Sequence, residues 1–227
     1  MTVIDRVRKS DSGALKKALE ILKDKVEIDE AKFSCQVFAY QNLLLERNKR
    51  TQLISRKDED VVLERHIIES LAPALAVEFK YVSRLVDIGS GAGLPGIPLA
   101  LLFPEIKFFL VDSRARRTDF LQEVVSGLEL KNVNVIWGRI ENISKDEIEN
   151  ASIFIARAVS SLEKLWAWSL VVAGMESCRL LAMKGGELQK EIAALKKKYR
   201  NVSVDVLEYD HRLVASSKER FLVNVYN

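Results

Sequence analysis

Residues Leu85–Pro98, with the sequence LVDIGSGAGLPGIP, decide the fold of this 227-residue chain. They combine a short apolar run, a turn with four glycines and a second apolar run, which is typical of a strand, a tight turn and a helix. Glycine accepts positive φ angles and lets a ligand approach the backbone, because it has no Cβ. Pro95 and Pro98 suit the first turn of a helix, where a missing amide costs least. The segment therefore predicts a ligand-binding turn between a buried strand and a helix.

An acidic residue follows at the distance that such a turn requires. Asp112 ends the next predicted strand, about 20 residues beyond Gly91. A carboxylate in that position can accept hydrogen bonds from both ribose hydroxyls of an adenosine. The combination predicts a nucleoside-cofactor site. We expect these residues of the site to contact the cofactor: Gly89, Gly91, Gly93 and Asp112.

Asp87, two residues before the first glycine, separates the candidate cofactors. Dinucleotide folds place a pyrophosphate over the helix N-terminus, and a carboxylate would repel it. The same carboxylate can hold a cationic amino group through bridging hydrogen bonds. The pattern D-x-G-x-G-x-G therefore favours S-adenosylmethionine, whose methionine end carries an ammonium. The alternative is that Asp87 only caps the following turn.

From Leu85 onward, short apolar runs alternate with segments at helical spacing. The predicted strands are Leu85–Ile88, Lys107–Val111, Val133–Trp137, Ser152–Ala156, Arg179–Met183, Val202–Leu207 and Phe221–Val225. The predicted helices are Ile97–Phe103, Arg116–Ser126 with Gly127 as its C-cap, Ser161–Ala173 and Glu187–Tyr199. This alternation predicts an α/β fold with a mostly parallel sheet, ligands at the carboxyl ends of its strands and an antiparallel hairpin at one edge.

The chain before this region has a helical pattern throughout. Apolar residues recur at helical spacing from Ser12 to about Leu75, with no glycine after Gly13 and no proline before Pro73. We therefore expect residues 1–78 to form an N-terminal helical extension and residues 79–227 to form the S-adenosylmethionine-binding domain.

The composition excludes several classes of protein. With 48% hydrophobic and 30% charged residues the chain is globular, and no uncharged apolar run reaches the length of about 18 residues that a membrane span needs. Cys35 and Cys178 are far apart, which disfavours a disulfide framework or a zinc ribbon. Two histidines, His66 and His211, disfavour a multi-histidine metal centre. We expect a cytoplasmic protein without a metal, and its net charge of +3 is compatible with a nucleic-acid partner.

Several motifs resemble those of the bacterial small-subunit ribosomal RNA guanine-N7 methyltransferases, the glucose-inhibited division protein B family. The likeness extends from about residue 35 to the C-terminus in the family's order. The segments that carry it are Asn48–Ile54, Arg65–Leu71, Asp87–Pro98, Val111–Ser113, Arg157–Ala158 and Met183–Gly185.

The resemblance implies a Rossmann-like, seven-stranded, S-adenosylmethionine-dependent methyltransferase fold with an N-terminal helical extension. It also implies methylation of N7 of a guanosine in 16S ribosomal RNA. By position, Gly89 and Leu94 would line the cofactor, and Ile140 and Glu141 would flank its adenine. Arg157 would lie by the cofactor's reactive end.

Guanine N7 bears a free lone pair and no proton, so transfer to it needs no base or covalent nucleophile. Catalysis is then mostly positioning. Arg157 and Lys184 follow the fourth and fifth strands and are the predicted catalytic residues, because both face the ligand edge of the sheet. The alternatives are a structural salt bridge for Arg157 and a solvated loop position for Lys184.

A basic cluster beside Asp112, formed by Arg114, Arg116 and Arg117, is the predicted contact surface for RNA phosphates. The expected partner is 16S ribosomal RNA or a small-subunit assembly intermediate, and we expect a monomer. Three other functions stay open at this point. They are a small-molecule methyltransferase on the same fold, a nicotinamide oxidoreductase, which Asp87 disfavours, and a non-catalytic RNA-binding module, which the intact cofactor motif disfavours.

Overall fold

The computed structural model describes residues 3–209, 213 and 220–227, with side chains from residue 13 onward. His211, which entered the argument against a metal centre, lies outside the described residues. Seven strands of this part of the chain form one sheet in the order β3-β2-β1-β4-β5-β7-β6. They are β1 Arg84–Ile88, β2 Lys107–Asp112, β3 Val133–Trp137, β4 Ile153–Arg157, β5 Arg179–Gly185, β6 Ser203–Glu208 and β7 Arg220–Tyr226.

Helices cover both faces of the sheet. The α-helices are α1 Val3–Leu22, α2 Glu30–Asn48, α3 Pro73–Ala76, α4 Gly96–Leu102, α5 Ala115–Gly127, α6 Leu162–Val172 and α7 Gln189–Lys198. Shorter helical segments are the 3-10 turns Arg56–Val61, Glu69–Leu71 and Ile140–Asn142, and the π-helix Leu63–Ile68.

The strand predictions are confirmed to within two residues at each end. Strands β1 to β5 are parallel, and β7 is antiparallel to both β5 and β6. The last two strands are antiparallel neighbours, as predicted, but of these two only β6 is an edge strand of the sheet. Strand β7 lies between β5 and β6, and its Leu222, Val223 and Val225 are fully buried, whereas β6 has only exposed and half-buried positions.

The predicted C-cap at Gly127 is wrong. Gly127 is the last residue of α5, Leu128 is the cap, and the positive φ angle of 53° belongs to Glu129. The cap amide of Leu128 bonds to the Val124 carbonyl, so the chain leaves the helix without the left-handed glycine that the prediction assumed.

The helical extension shares a hydrophobic core with one face of the sheet. Buried side chains of α1 and α2, such as Leu15 and Val37, belong to the same apolar cluster as Phe108 and Leu110 of β2. A second cluster, which includes Trp166 of α6, fills the other face. The carboxyl ends of β1 to β5 therefore lie at one edge of a sheet that is packed on both sides, with the extension beside them.

Candidate active site

The glycine-rich turn leaves β1 in left-handed backbone conformations. The φ angles are 68° at Gly89, 59° at Gly91 and 90° at Gly93, a region that other residues rarely adopt. The Gly89 amide donates to the Val111 carbonyl at 2.8 Å, which ties the turn to the end of β2. A Cβ at Gly89 would lie 2.8 Å from a methyl group of Val159, so the turn is also held from the β4 side.

Asp87 is fully buried at the start of this turn. Its Oδ2 accepts a hydrogen bond from the Gly96 amide at 3.0 Å, whereas the Ser90 hydroxyl donates to the Asp87 backbone carbonyl. Burial raises the pKa of the Asp87 carboxyl to about 7, against the lowering effect of the Gly96 amide. The capping contact of the sequence analysis is present, and Oδ1 is buried without a hydrogen-bond partner among the described residues. The contact of Asp87 with a cofactor ammonium stays a prediction.

Asp112 joins the glycine-rich turn to the start of α5. It is only 3% exposed, and its Oδ2 accepts from the Gly91 amide at 2.9 Å. Its Oδ1 accepts from the Arg114 amide at 2.9 Å, and the Arg117 guanidinium lies 3.3 Å from Oδ2. The carboxylate is thus held in one orientation by backbone donors from two sides, and its contact with a ribose stays a prediction.

A cleft opens between these elements at the carboxyl edge of the sheet. It brings together four predicted cofactor residues, namely Gly89, Asp112, Ile140 and Glu141. Asp87, Gly91, Gly93 and Leu94 do not line it, and their cofactor contacts stay predictions.

Seven further lining residues of this cleft were not predicted to contact the cofactor: Ile88, Val111, Ser113, Gly138, Arg139, Val159 and Trp168. Val159 is the second residue after β4, and a residue close to a strand end could have been considered on that ground. Trp168 lies within α6. Its place in the cleft depends on how α6 packs, for which the sequence holds no local signal.

Arg157 is bound to the helical extension. Its guanidinium donates to the carbonyls of Arg65 and His66, both at 3.0 Å, and to the Ser70 hydroxyl at 3.1 Å. It also forms an ion pair of 3.0 Å with Glu69. The structural salt bridge of the sequence analysis is therefore present, and a direct role of Arg157 at the cofactor stays a prediction.

Glu69 is the residue of this network that the sequence analysis did not single out. It is 4% exposed and pairs with Arg157 through Oε2 and with Arg220 of β7 through Oε1, the latter at 2.9 Å. Burial, and secondarily the Arg157 charge, lower the pKa of His66, which favours the neutral ring beside that guanidinium. A carboxylate inside the apolar run of Ile67, Ile68 and Leu71 was the available signal, because buried acids are usually paired.

Lys184 lies near the end of β5 with its side chain 14% exposed, so it is not a solvated loop residue. Its ammonium donates to the Ser160 carbonyl at 2.7 Å and to Glu191 of α7 at 2.8 Å. The same Glu191 oxygen accepts from the Leu162 amide at the start of α6. Lys184 therefore holds the loop between β4 and α6, which includes Val159 of the cleft; its predicted catalytic role is not tested by this geometry.

The three predicted RNA-contacting arginines surround the first turn of α5. Arg114 is the N-cap residue, and both Arg114 and Arg116 are exposed, whereas Arg117 is half-buried against Asp112. This turn holds no acidic residue. Cations at a helix N-terminus oppose the helix dipole, so this placement does not serve the stability of α5.

The comparisons with known proteins agree with this geometry. Residues 34–220 match the family model GidB, described as rRNA small subunit methyltransferase G. The chain belongs to this family. A relative named ribosomal RNA small subunit methyltransferase G, from Cytophaga hutchinsonii, is 35% identical over 165 residues, which are 70% of this chain and 78% of the relative. The protein of the same name from Pseudomonas aeruginosa is 38% identical over 165 residues, or 73% of this chain and 75% of the relative.

Two solved structures are similar in fold to this member of the GidB family. A SAM-dependent methyltransferase from Aquifex aeolicus has a TM-score of 0.52 at 16% identity, covering 75% of this chain and 95% of that one. The mitomycin 7-O-methyltransferase MmcR has a TM-score of 0.57 at 19% identity, covering 82% of this chain and 60% of that one. The predicted Rossmann-like α/β fold is thereby confirmed.

The two N-terminal motifs that resemble the family both make structural contacts. The Asn48 side chain accepts from the Leu53 and Ile54 amides at 2.8 and 3.0 Å and donates to Glu59. The second motif, Arg65–Leu71, supplies the partners of Arg157. The first motif therefore shapes the extension itself, and the second joins the extension to the end of β4.

No helix within the described ranges is long and apolar enough to cross a membrane. Among those same residues, no group of three or more histidine, cysteine, aspartate or glutamate side chains is placed to hold a metal ion.

Proposed function

We propose that this chain transfers the methyl group of S-adenosylmethionine to N7 of a guanosine in 16S ribosomal RNA. One observation carries the proposal: in a member of the GidB family, Gly89, Asp112, Ile140 and Glu141 line a single cleft at the carboxyl edge of the sheet. This edge is where open α/β sheets bind their ligands.

The residues present fit S-adenosylmethionine. Ile140 and Glu141 would flank the adenine, and Asp112 would receive the ribose hydroxyls from its fixed orientation. The unpartnered Oδ1 of Asp87 is a buried acceptor that a positively charged amino group would satisfy. When bound, the cofactor supplies a methyl group on a sulfonium, which is electrophilic without further activation.

The reaction places few demands on proton transfer. The N7 lone pair of guanine forms the new N–C bond while the C–S bond of the donor breaks, and no proton has to leave N7. The contacts of Arg157 and Lys184 agree with a reaction that needs no proton transfer, because both cations have protein partners and support neighbouring segments. We propose that they act by positioning: Arg157 by holding the extension, and Lys184 by holding the loop that contains Val159.

The finer parts of the proposal concern partners and organisation. The substrate is 16S ribosomal RNA or a small-subunit assembly intermediate, contacted through Arg114 and Arg116, and the protein acts as a cytoplasmic monomer without a metal. Residues 1–78 form the helical extension and residues 79–227 the methyltransferase domain.

The test is methylation by the purified full-length protein. It is incubated with methyl-labelled S-adenosylmethionine and with small subunits, or protein-free 16S ribosomal RNA, from cells that lack the gene. Nuclease digestion and mass spectrometry should detect one 7-methylguanosine that cells without the gene lack. Methylation of another base, or of another position of guanine, would contradict the proposal. Methylation of small molecules but not of RNA would also contradict it and would favour a small-molecule methyltransferase.

A further inference from the structure

Trp137, the last residue of β3, is exposed on the surface beside the active site. Its side chain is 68% exposed, whereas Val133 at the start of the same strand is buried. Side chains alternate along a strand, so Trp137 lies on the same face as Val133 and Val135, which pack in the apolar cluster beneath α5. The indole therefore extends this face beyond the core, toward the end of the sheet at which α5 begins.

A side-chain hydrogen bond orients this indole. Its Nε1 donates a hydrogen bond to the Ser113 carbonyl at 3.2 Å, and the backbone of Trp137 is paired with Asp112 in the sheet. A single exposed apolar side chain needs no explanation in itself. Trp137 differs in that its large ring is exposed beside the cleft and oriented by a hydrogen bond. A base can stack on such a ring at a lower entropic cost, because the side chain is already ordered.

The surroundings of Trp137 are positively charged. Ser113 is followed directly by the exposed Arg114 and, two positions later, by the exposed Arg116. Arg139, two residues after Trp137, has a side chain that is 74% exposed and lies 3.9 Å from the carboxylate of Glu141. Flat aromatic surface combined with flanking arginines is the arrangement that binds single-stranded nucleic acid, in which bases stack on the ring and phosphates contact the cations.

We propose that Trp137 is a stacking platform for an unpaired base of the substrate RNA, with Arg114 and Arg116 contacting the adjacent phosphates. Trp137 does not line the cleft that contains Gly89 and Glu141, so the stacked base belongs to a nucleotide that flanks the methylated guanosine. This inference rests on the proposed function, because it takes RNA to be the substrate.

The test compares Trp137→Leu, which removes the aromatic face, with Trp137→Phe, which keeps a smaller one. The control is Tyr81→Leu, since Tyr81 is 85% exposed and precedes β1 at the opposite edge of the sheet. Affinity for protein-free 16S ribosomal RNA is measured against salt, and affinity for S-adenosylmethionine is measured by calorimetry. Trp137→Leu should bind RNA about tenfold more weakly with an unchanged salt slope and normal cofactor affinity. Trp137→Phe should recover most of the loss, and Tyr81→Leu should bind as the wild type does.

Three outcomes would overturn the inference. RNA affinity of Trp137→Leu equal to that of the wild type would exclude stacking. If Trp137→Leu lost affinity for S-adenosylmethionine but bound RNA normally, Trp137 would belong to the cofactor site instead. If the wild type methylates only intact small subunits, the comparison is made on them, and a Trp137→Leu variant with the wild-type KM for small subunits would exclude the platform while the proposed function stands. Wild-type protein that methylates no ribosomal substrate would instead contradict the proposed function itself.

Discussion

The carboxylate of Asp87 and the backbone amide of Gly96 form a buried hydrogen bond of 3.0 Å that closes the glycine-rich turn. It joins the end of β1 to the first residue of α4. A Cβ at position 96 would lie 2.6 Å from the Asp87 Oδ2 and would also overlap the Leu110 side chain. Position 96 requires glycine because the Asp87 and Leu110 side chains approach its backbone closely, so Asp87 and Gly96 depend on each other.

The first prediction follows from this approach. Gly96→Ala should lower the free energy of unfolding by about 1–3 kcal/mol, because overpacking forces the strand and the helix apart. Denaturant unfolding measures the change. Gly13→Ala is the matched control: no atom lies within 4 Å of a Cβ there, and alanine should stabilise α1 by roughly 0.5–1 kcal/mol. Equal stability of Gly96→Ala and the wild type would show that the turn can relax.

The second prediction concerns pH. The pKa of the Asp87 carboxyl is raised to about 7, chiefly by burial, so its ionised fraction grows as the pH rises through neutrality. If Asp87 holds a cofactor ammonium, affinity for S-adenosylmethionine should rise up to about tenfold between about pH 6 and about pH 7.5, below the range in which an α-amino group loses its proton. Calorimetry measures this affinity, and NAD should not bind.

Asp87→Asn is the control for this pH dependence. The amide oxygen can still accept from Gly96, so the variant should fold, bind the cofactor more weakly and lose the dependence on pH. A flat wild-type profile would mean that Asp87 only caps the turn.

The third prediction concerns Arg157. Arg157→Ala leaves the buried Glu69 with one cationic partner and should cost on the order of 3 kcal/mol of stability. The control is Arg84→Ala, which removes an exposed ion pair with Glu149 and should leave the stability nearly unchanged, because ion pairs between exposed side chains contribute little. A fully stable Arg157→Ala that has lost methylation would instead support direct contact with substrate or cofactor.

The fourth prediction concerns RNA phosphates. Replacing Arg114 and Arg116 with alanine should flatten the slope of log affinity against log salt by roughly 0.7–0.9 per lost contact. Adding Arg117→Ala should change the slope little, because this arginine pairs with Asp112. The control is the double variant of Lys196 and Lys197, in the last turn of α7. A larger effect from the lysines would move the RNA surface away from α5.

The fifth prediction concerns Tyr40, which connects the extension to the cofactor turn. Its hydroxyl is fully buried and donates to the Ala92 carbonyl at 2.7 Å. Tyr40→Phe leaves that carbonyl without its donor and should cost about 1–3 kcal/mol, with weaker cofactor binding. Tyr81→Phe, the same change at an exposed position, should alter stability by less than about 0.5 kcal/mol. Unchanged cofactor affinity in Tyr40→Phe would show that α2 does not position the turn.

Much of the fold could be predicted because its signals are local. The seven strands, the glycine-rich turn and the acid at Asp112 each depend on residues close together in the chain, and strand ends were placed to within two residues. The position of β7 between β5 and β6 was not predicted, because the alternation of apolar and polar residues along a strand does not specify which other strands it pairs with. Four residues of the candidate cleft were predicted, whereas Trp168, which lines the cleft from α6, was not.

The sequence by itself determined the family, the α/β alternation and the chemistry of the turn, because each is carried by residue types at short, fixed spacings. Only the tertiary structure decided what Arg157 and Lys184 contact. Arg157 and Glu69 are 88 positions apart and meet only once the extension has packed against the sheet. A charged residue has many possible partners along the sequence. Its partner in the folded protein is decided by how distant segments pack together, and the spacing of neighbouring residues carries no information about that packing.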